Sequence, residues 1–299
     1  MNDLARTPVG FIGLGLMGRP LAARLHRAQV PLVVHNRSRA AVDELTALGH
    51  TAASTPREVA AKTPGALIVL LLPDSAAVEQ VLNGPDGLWA GLQPGTLVID
   101  MGSSRVDATR AWAETARSRG ADWLDAPVSG GQAGAIAGTL SIMVGGTEAA
   151  FSRAKPYFEL LGRTVTYLGP SGAGQVTKLA NQIVVAVTIS AVAEALALAS
   201  ANGADVNAVR SALLGGFAAS KVLDAHGRRM IEGDFQPGGR AVLQLKDLHE
   251  AARVAAAAQL DLSVLRHNLG RWEEMIARGW GELDHSAFSK LYEPSSSTS

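Results

Sequence analysis

Gly10-Phe-Ile-Gly13-Leu-Gly15-Leu-Met-Gly18 closes an apolar run at 9–12 with three glycines spaced G-x-G-x-x-G and opens a helical pattern over 16–28. Alone that spacing is a weak signal; between a strand and a helix it reads as a dinucleotide-binding turn. The first glycine permits the sharp turn, the second lets a pyrophosphate approach the backbone, and the third lets helix and strand pack closely. The start of the helix adds free N–H groups and partial positive charge for phosphates. Gly13, Gly15, Leu16, Met17 and Gly18 are therefore candidate cofactor contacts. The alternative is a glycine-rich turn without ligand, and the rhythm of the chain beyond it weighs against that.

Apolar runs at 31–35, 66–72, 96–100 and 123–126 alternate with helical patterns at 39–48, 74–82 and 106–118. Two further strand patterns follow at 141–144 and 164–168. Ala66-Leu-Ile-Val-Leu-Leu-Leu72 is apolar throughout, as expected of a strand covered by helices on both faces. Pro56, Pro73, Pro85 and Pro94 punctuate the loops. The class is α/β: an N-terminal Rossmann-type doubly wound parallel sheet with right-handed crossovers. Beyond the loop Gly169-Pro-Ser-Gly-Ala-Gly174 everything reads as helix, beginning with a long apolar one over about 174–202. The expected domains are 1–169, binding the nucleotide, and an all-helical substrate and oligomerisation domain at 170–293, before a polar tail at 294–299.

Composition narrows the partners. At 299 residues and 47% hydrophobic, the chain can bury two cores, which excludes wholesale disorder. Lys and Arg balance Asp and Glu at 27 each, so neither nucleic acid nor an anionic membrane surface is an expected partner. The absence of cysteine removes disulfides, thiolate metal sites and thiol nucleophiles together. The seven histidines show no paired metal-ligand spacing, so no metal is expected. The N-terminus does not read as a signal peptide. The apolar stretch 183–201 carries Glu194, a costly residue for mid-bilayer, and reads as a buried helix of a soluble, cytoplasmic protein.

The second strand pattern ends in His35-Asn36-Arg37-Ser38, with no acid before Asp43. An NAD site usually places Asp or Glu here for the ribose 2′-hydroxyl. Arg37 instead suits a 2′-phosphate, with Asn36 and Ser38 adding hydrogen bonds, which favours NADP and leaves NAD possible. The alternative for Arg37 is a solvated loop arginine. Leu72, Pro73 and Ser103 sit at strand ends facing the same crevice and are further cofactor candidates.

Asp125-Ala-Pro-Val-Ser129-Gly130-Gly131 ends a strand with small residues whose backbone N–H groups suit a carboxylate. Farther on, Lys178, Asn181 and Gln182 share one helix face at i, i+3 and i+4. A lysine in so apolar a helix either snorkels outward or is placed for chemistry. Spacing alone leaves both open.

Four blocks together make the chain resemble the β-hydroxyacid dehydrogenase (3-hydroxyisobutyrate dehydrogenase-like) family. They are 10–18, 125–146, 172–182 and Leu245-Lys246-Asp247-Leu248, and the likeness runs from about 8 to 293. The resemblance implies that Lys178 is the general acid in reduction, that Ser129, Gly130 and Gly131 bind the substrate carboxylate, and that Lys246 closes over the cofactor. Asn181 and Gln182 would hold the reacting oxygen or a 2-hydroxyl. Segments 176–182, 215–224 and 284–287 are most similar to the branch that reduces tartronate semialdehyde, which has glutamine where Gln182 stands and many relatives have asparagine. The expected reaction is hydride transfer from a nicotinamide to the aldehyde carbon of a short 3-oxo acid. Oxidation of 3-hydroxyisobutyrate or L-serine, or reduction of glyoxylate or succinic semialdehyde, is the same chemistry and stays open, since one or two pocket side chains choose among them. A non-catalytic dinucleotide-binding scaffold would be expected to lose Lys178. The apolar helix has more surface than one small domain covers, so self-association as a dimer or tetramer is expected.

Overall fold

Residues 7–293 are described by the computed structural model; the tail at 294–299 lies outside them. The chain runs β1 (Val9–Ile12), α1 (Gly18–Arg27), β2 (Leu32–His35), α2 (Ala40–Ala47) and β3 (Thr51–Ala52). Next come α3 (Pro56–Lys62), β4 (Leu67–Leu70), α4 (Ser75–Leu82) and α5 (Leu88–Gly91). β5 (Leu97–Asp100), α6 (Val106–Ser118) and β6 (Asp122–Asp125) complete a parallel six-stranded sheet in the order β3-β2-β1-β4-β5-β6. The order reverses between β1 and β4, so the ligand crevice of such a sheet lies beyond the C-terminal ends of these strands.

The continuous apolar runs have a direct cause. Neighbouring residues of a strand face opposite sides, and both sides are covered. Phe11, Val69, Ile99 and Leu124 pack on one face with Leu21, Leu25 and Phe158. Ile12, Ile68, Val98 and Trp123 pack on the other with Val59, Val78 and Trp112. Each such side chain stabilises the fold by about 1.5–3 kcal/mol on burial.

The strand patterns at 141–144 and 164–168 do not extend this sheet. β7 (Val128–Ser129), α7 (Gly131–Ala137), β8 (Leu140–Val144), α8 (Glu148–Leu161) and β9 (Gly162–Tyr167) form a second, three-stranded sheet in the order β7-β8-β9. β7 runs antiparallel to β8; the chain between them turns at Gly130 and Gly131, whose φ values of 132° and 60° favour glycine, passes through α7 and turns again at the left-handed Gly138. A bridge from Asp125 to Gly145, just past the central strand β8, ties this sheet to β6.

The remainder is helical: α9 (Ala173–Ala201), α10 (Val206–Leu214), α11 (Lys221–Glu232), α12 (Ala241–Ala257) and α13 (Ser263–Ala277), then 3-10 turns over His285–Tyr292. Asp205 and Ser220 cap α10 and α11 through their side chains, and Gly233 ends α11 in the left-handed conformation. Trp272, Met275 and Phe288 are buried at the centre of this part. Two compact units part inside α9, the first ending at Lys178 and the second beginning at Leu179. The sequence pattern places the boundary at the preceding loop, 169/170. Among the described residues α9 is the one helix long and apolar enough to cross a membrane, and a third of its most apolar window is buried within the chain.

Candidate active site

The three glycines of the first turn differ in their surroundings. A Cβ on Gly13, at φ 102°, would lie 2.3 Å from Leu71 O, and one on Gly18 only 1.9 Å from Gly13 O. Gly15 faces open space. The outer two glycines thus close the turn, and the middle one leaves its backbone free for a ligand. α1 carries no acid in its first turn and no side-chain cap, so its leading N–H groups and dipole remain available to phosphates. These residues fit the pyrophosphate of a dinucleotide.

Asn36 joins the end of β2 to this turn: its Oδ1 accepts the Leu14 N–H at 2.9 Å, and its Nδ2 donates to Ser38 Oγ at 2.9 Å. Its amide therefore shapes the loop. Arg37 beside it is exposed, with no ion pair among the described residues. The exits of β4 and β5 lie close together, since a Cβ on Gly102 would meet Leu72 O at 2.7 Å. Leu72, Pro73 and Ser103 thus lie just beyond the C-terminal ends of these two strands. Asp100, fully buried, shapes the β5 exit by accepting Gly102 N–H at 2.9 Å and Ser104 Oγ–H at 2.6 Å.

The β6 exit carries the second group of candidates. Ser129 pairs with Ser141 in β7, and Gly130 and Gly131 follow with exposed backbone. Lys178, half-buried on the second turn of α9, donates from Nζ to Val128 O at 2.9 Å. The amine therefore turns back onto the chain beside Ser129 rather than outward into solvent.

In the helical unit, Gln182 is buried and its amide is engaged. Nε2 donates to Asp247 Oδ2 at 2.8 Å and to Gln244 Oε1 at 3.0 Å, and Oε1 accepts from Asn181 Nδ2 at 2.9 Å. Lys246 Nζ lies 3.2 Å from Asp247 Oδ1. Sequence reasoning grouped Asn181 and Gln182 together; the structure separates a half-exposed Asn181 from a Gln182 that holds it. Gln244, Asp125 and Gln175, all buried and polar, were not singled out from sequence, because their partners lie far along the chain. Among the described residues no group of three or more His, Asp or Glu side chains gathers to hold a metal ion.

Two family profiles divide the chain: "NAD binding domain of 6-phosphogluconate dehydrogenase" matches 8–169 and "NAD-binding of NADP-dependent 3-hydroxyisobutyrate dehydrogenase" matches 172–292. The 2-hydroxy-3-oxopropionate reductase of Escherichia coli (strain K12) is 45% identical, over 95% of this chain and 97% of its own length. The chain belongs to the β-hydroxyacid dehydrogenase (3-hydroxyisobutyrate dehydrogenase-like) family. A second member of that family, the NAD-dependent L-serine dehydrogenase of Pseudomonas aeruginosa, is 37% identical over 96% of this chain and 98% of its own. The crystal structure of 3-hydroxyisobutyrate dehydrogenase from Salmonella typhimurium superimposes with a TM-score of 0.85 at 30% identity, covering 95% of this chain and 99% of that one. This β-hydroxyacid dehydrogenase is accordingly an oxidoreductase that uses a nicotinamide dinucleotide on a small-molecule substrate.

Proposed function

We propose that this enzyme reduces 2-hydroxy-3-oxopropanoate (tartronate semialdehyde) to glycerate, preferring NADPH, with Lys178 as proton donor. The observation that carries the proposal is the Lys178 Nζ contact with Val128 O, which holds the amine beside the Ser129–Gly131 backbone. The similarity to the Escherichia coli reductase supports this substrate. Residues 1–169 would hold the dinucleotide and 170–293 the rest of the substrate site.

Bound dinucleotide supplies a hydride to the aldehyde carbon. The protein's own residues do the remainder. The Ser129 hydroxyl and the Gly130 and Gly131 N–H groups hold the substrate carboxylate, which orients the aldehyde. As its oxygen gains negative charge, the Lys178 ammonium stabilises that charge and passes it a proton, leaving a neutral amine and a hydroxyl. Asn181, one turn along the same helix face, is assigned a hydrogen bond to a substrate oxygen, with Gln182 fixing its orientation. Arg37 is assigned the 2′-phosphate, and Lys246 the cofactor.

A screen of NADPH oxidation with tartronate semialdehyde, glyoxylate, succinic semialdehyde and methylmalonate semialdehyde, alongside L-serine oxidation, tests the assignment. The highest kcat/KM is expected with tartronate semialdehyde, and a clear preference for another compound overturns the substrate. We further infer a soluble, cytoplasmic homo-oligomer. Val176, Ala180, Val184, Ala191 and Leu198 form an exposed apolar stripe along α9, which a second copy would cover. Light scattering coupled to gel filtration should give a mass of two or four chains, and a Val184→Glu variant should lower it.

A further inference from the structure

Asp125 ends β6 just before Val128, and its side chain is fully buried. Its Oδ1 accepts the Gly172 N–H at 2.8 Å and its Oδ2 the Gln175 N–H at 2.9 Å. Those amides belong to the entry and first turn of α9, where a helix has no partners of its own for its N–H groups. α9 is thus capped by a strand residue that lies 47 and 50 positions earlier. Two glycines make the close approach possible. A Cβ on Gly174 would fall 2.6 Å from Asp125 O, and one on Gly145 would fall 2.8 Å from both carboxylate oxygens.

Gln175 extends the same fastening. Fully enclosed, its Nε2 donates to Gly102 O and its Oε1 accepts the Ser104 N–H, both at 3.0 Å. The exit of β5, the exit of β6 and the start of α9 therefore meet at one buried point. Lys178 follows Gln175 by less than one helical turn. Its amine reaches Val128, which follows Asp125 just as closely. Both partners of the lysine contact hang from this carboxylate. Burial pushes the Asp125 carboxyl up to about 6 against the pull of the Gly172 and Gln175 N–H groups.

We infer that Asp125 is the positioning residue for Lys178: it fixes the first turn of α9 against the β6 exit and so holds the amine beside Ser129. The inference rests on Lys178 as proton donor. No proton passes through Asp125, and its effect is geometric. Asparagine at this position keeps the shape but must point an NH2 group at one of the two backbone N–H groups, releasing that end of the helix.

The test compares Asp125→Asn with Lys178→Ala, with rates expressed per dinucleotide-binding site titrated by fluorescence, so that misfolded protein does not count. For Asp125→Asn, kcat should fall by about 10–100-fold, because a misplacement near 1 Å costs that much. Dinucleotide affinity and the aldehyde KM should stay within about threefold. In the alcohol-oxidising direction, the pH at which the rate rises should move by about half a unit or more, reporting an altered lysine environment. Asp125→Ser, which removes the charge and keeps a hydroxyl, should show the same pattern and serves if the asparagine variant does not accumulate. Unchanged kcat per site and an unmoved pH dependence overturn the inference, even with lowered thermal stability. If Lys178→Ala turns over normally, the proton-donor assignment fails instead, which the parallel assay reveals independently.

Discussion

Under the proposed function activity turns on Lys178 and coenzyme choice on Arg37, and their variants should fail differently. Lys178→Ala removes the proposed proton donor, so kcat should drop by roughly 10²–10⁴-fold while dinucleotide binding, read by fluorescence titration, is nearly unchanged. Arg37→Ala removes a charge-assisted contact to a 2′-phosphate, so kcat/KM for NADPH should fall by about 10–100-fold and that for NADH hardly move. Equal losses with both coenzymes would return Arg37 to a solvated loop residue. Both residue types were visible in the sequence. The role of Gln182 was not, because a glutamine that binds substrate and one that spends its amide on Gln244, Asp247 and Asn181 are spelled identically.

At the scale of the element, the glycine turn separates stability from binding. In Gly18→Ala the new methyl would sit 1.9 Å from Gly13 O, so the turn must open, and a loss of about 1–3 kcal/mol in stability should accompany loss of dinucleotide binding. Gly15→Ala meets no protein atom, so its Tm should stay near the parent value while dinucleotide affinity falls at least about tenfold. Calorimetry and fluorescence titration on the same samples distinguish the two. Strands β1 and β4 and helices α1, α2, α4 and α6 were legible within a few residues, because burial on both faces or on one stripe leaves a strong pattern. β3 and β7, two residues each, are too short to carry any periodicity. α8 was hidden by Pro156 in its interior, a residue that ordinarily argues for a break. β8 and β9 were legible as strands, but their separation into a second sheet was not, because it depends on the two-residue β7.

For the whole molecule, acid should strike the helical unit through Asp284. This carboxylate is 1% exposed; burial would raise its pKa, but His226, the Ser286 N–H and hydroxyl, and His285 hold it well below the usual carboxylate range. Arg229 Nη1 adds an ion pair at 3.0 Å. A depressed native pKa stabilises the fold above the unfolded value near 4, and the contribution is lost as pH falls below it. Thermal melts should show Asp284→Asn markedly less stable than the parent at pH 7, with the gap narrowing by pH 3. A gap that stays constant would remove Asp284 from the acid response. Asp284, which also accepts the Gly238 and Gly239 N–H groups, and Asp125 both depend on partners far along the chain, which no local pattern could announce. The fastening at Asp125 also dictates how the gene can be cut. A chimera that joins this nucleotide-binding half to another helical half at loop 169/170 would replace the Gly172 and Gln175 N–H donors and the glycine at 174 that lets them approach Asp125, so a transplant that keeps the fastening carries α9 at least as far as Lys178.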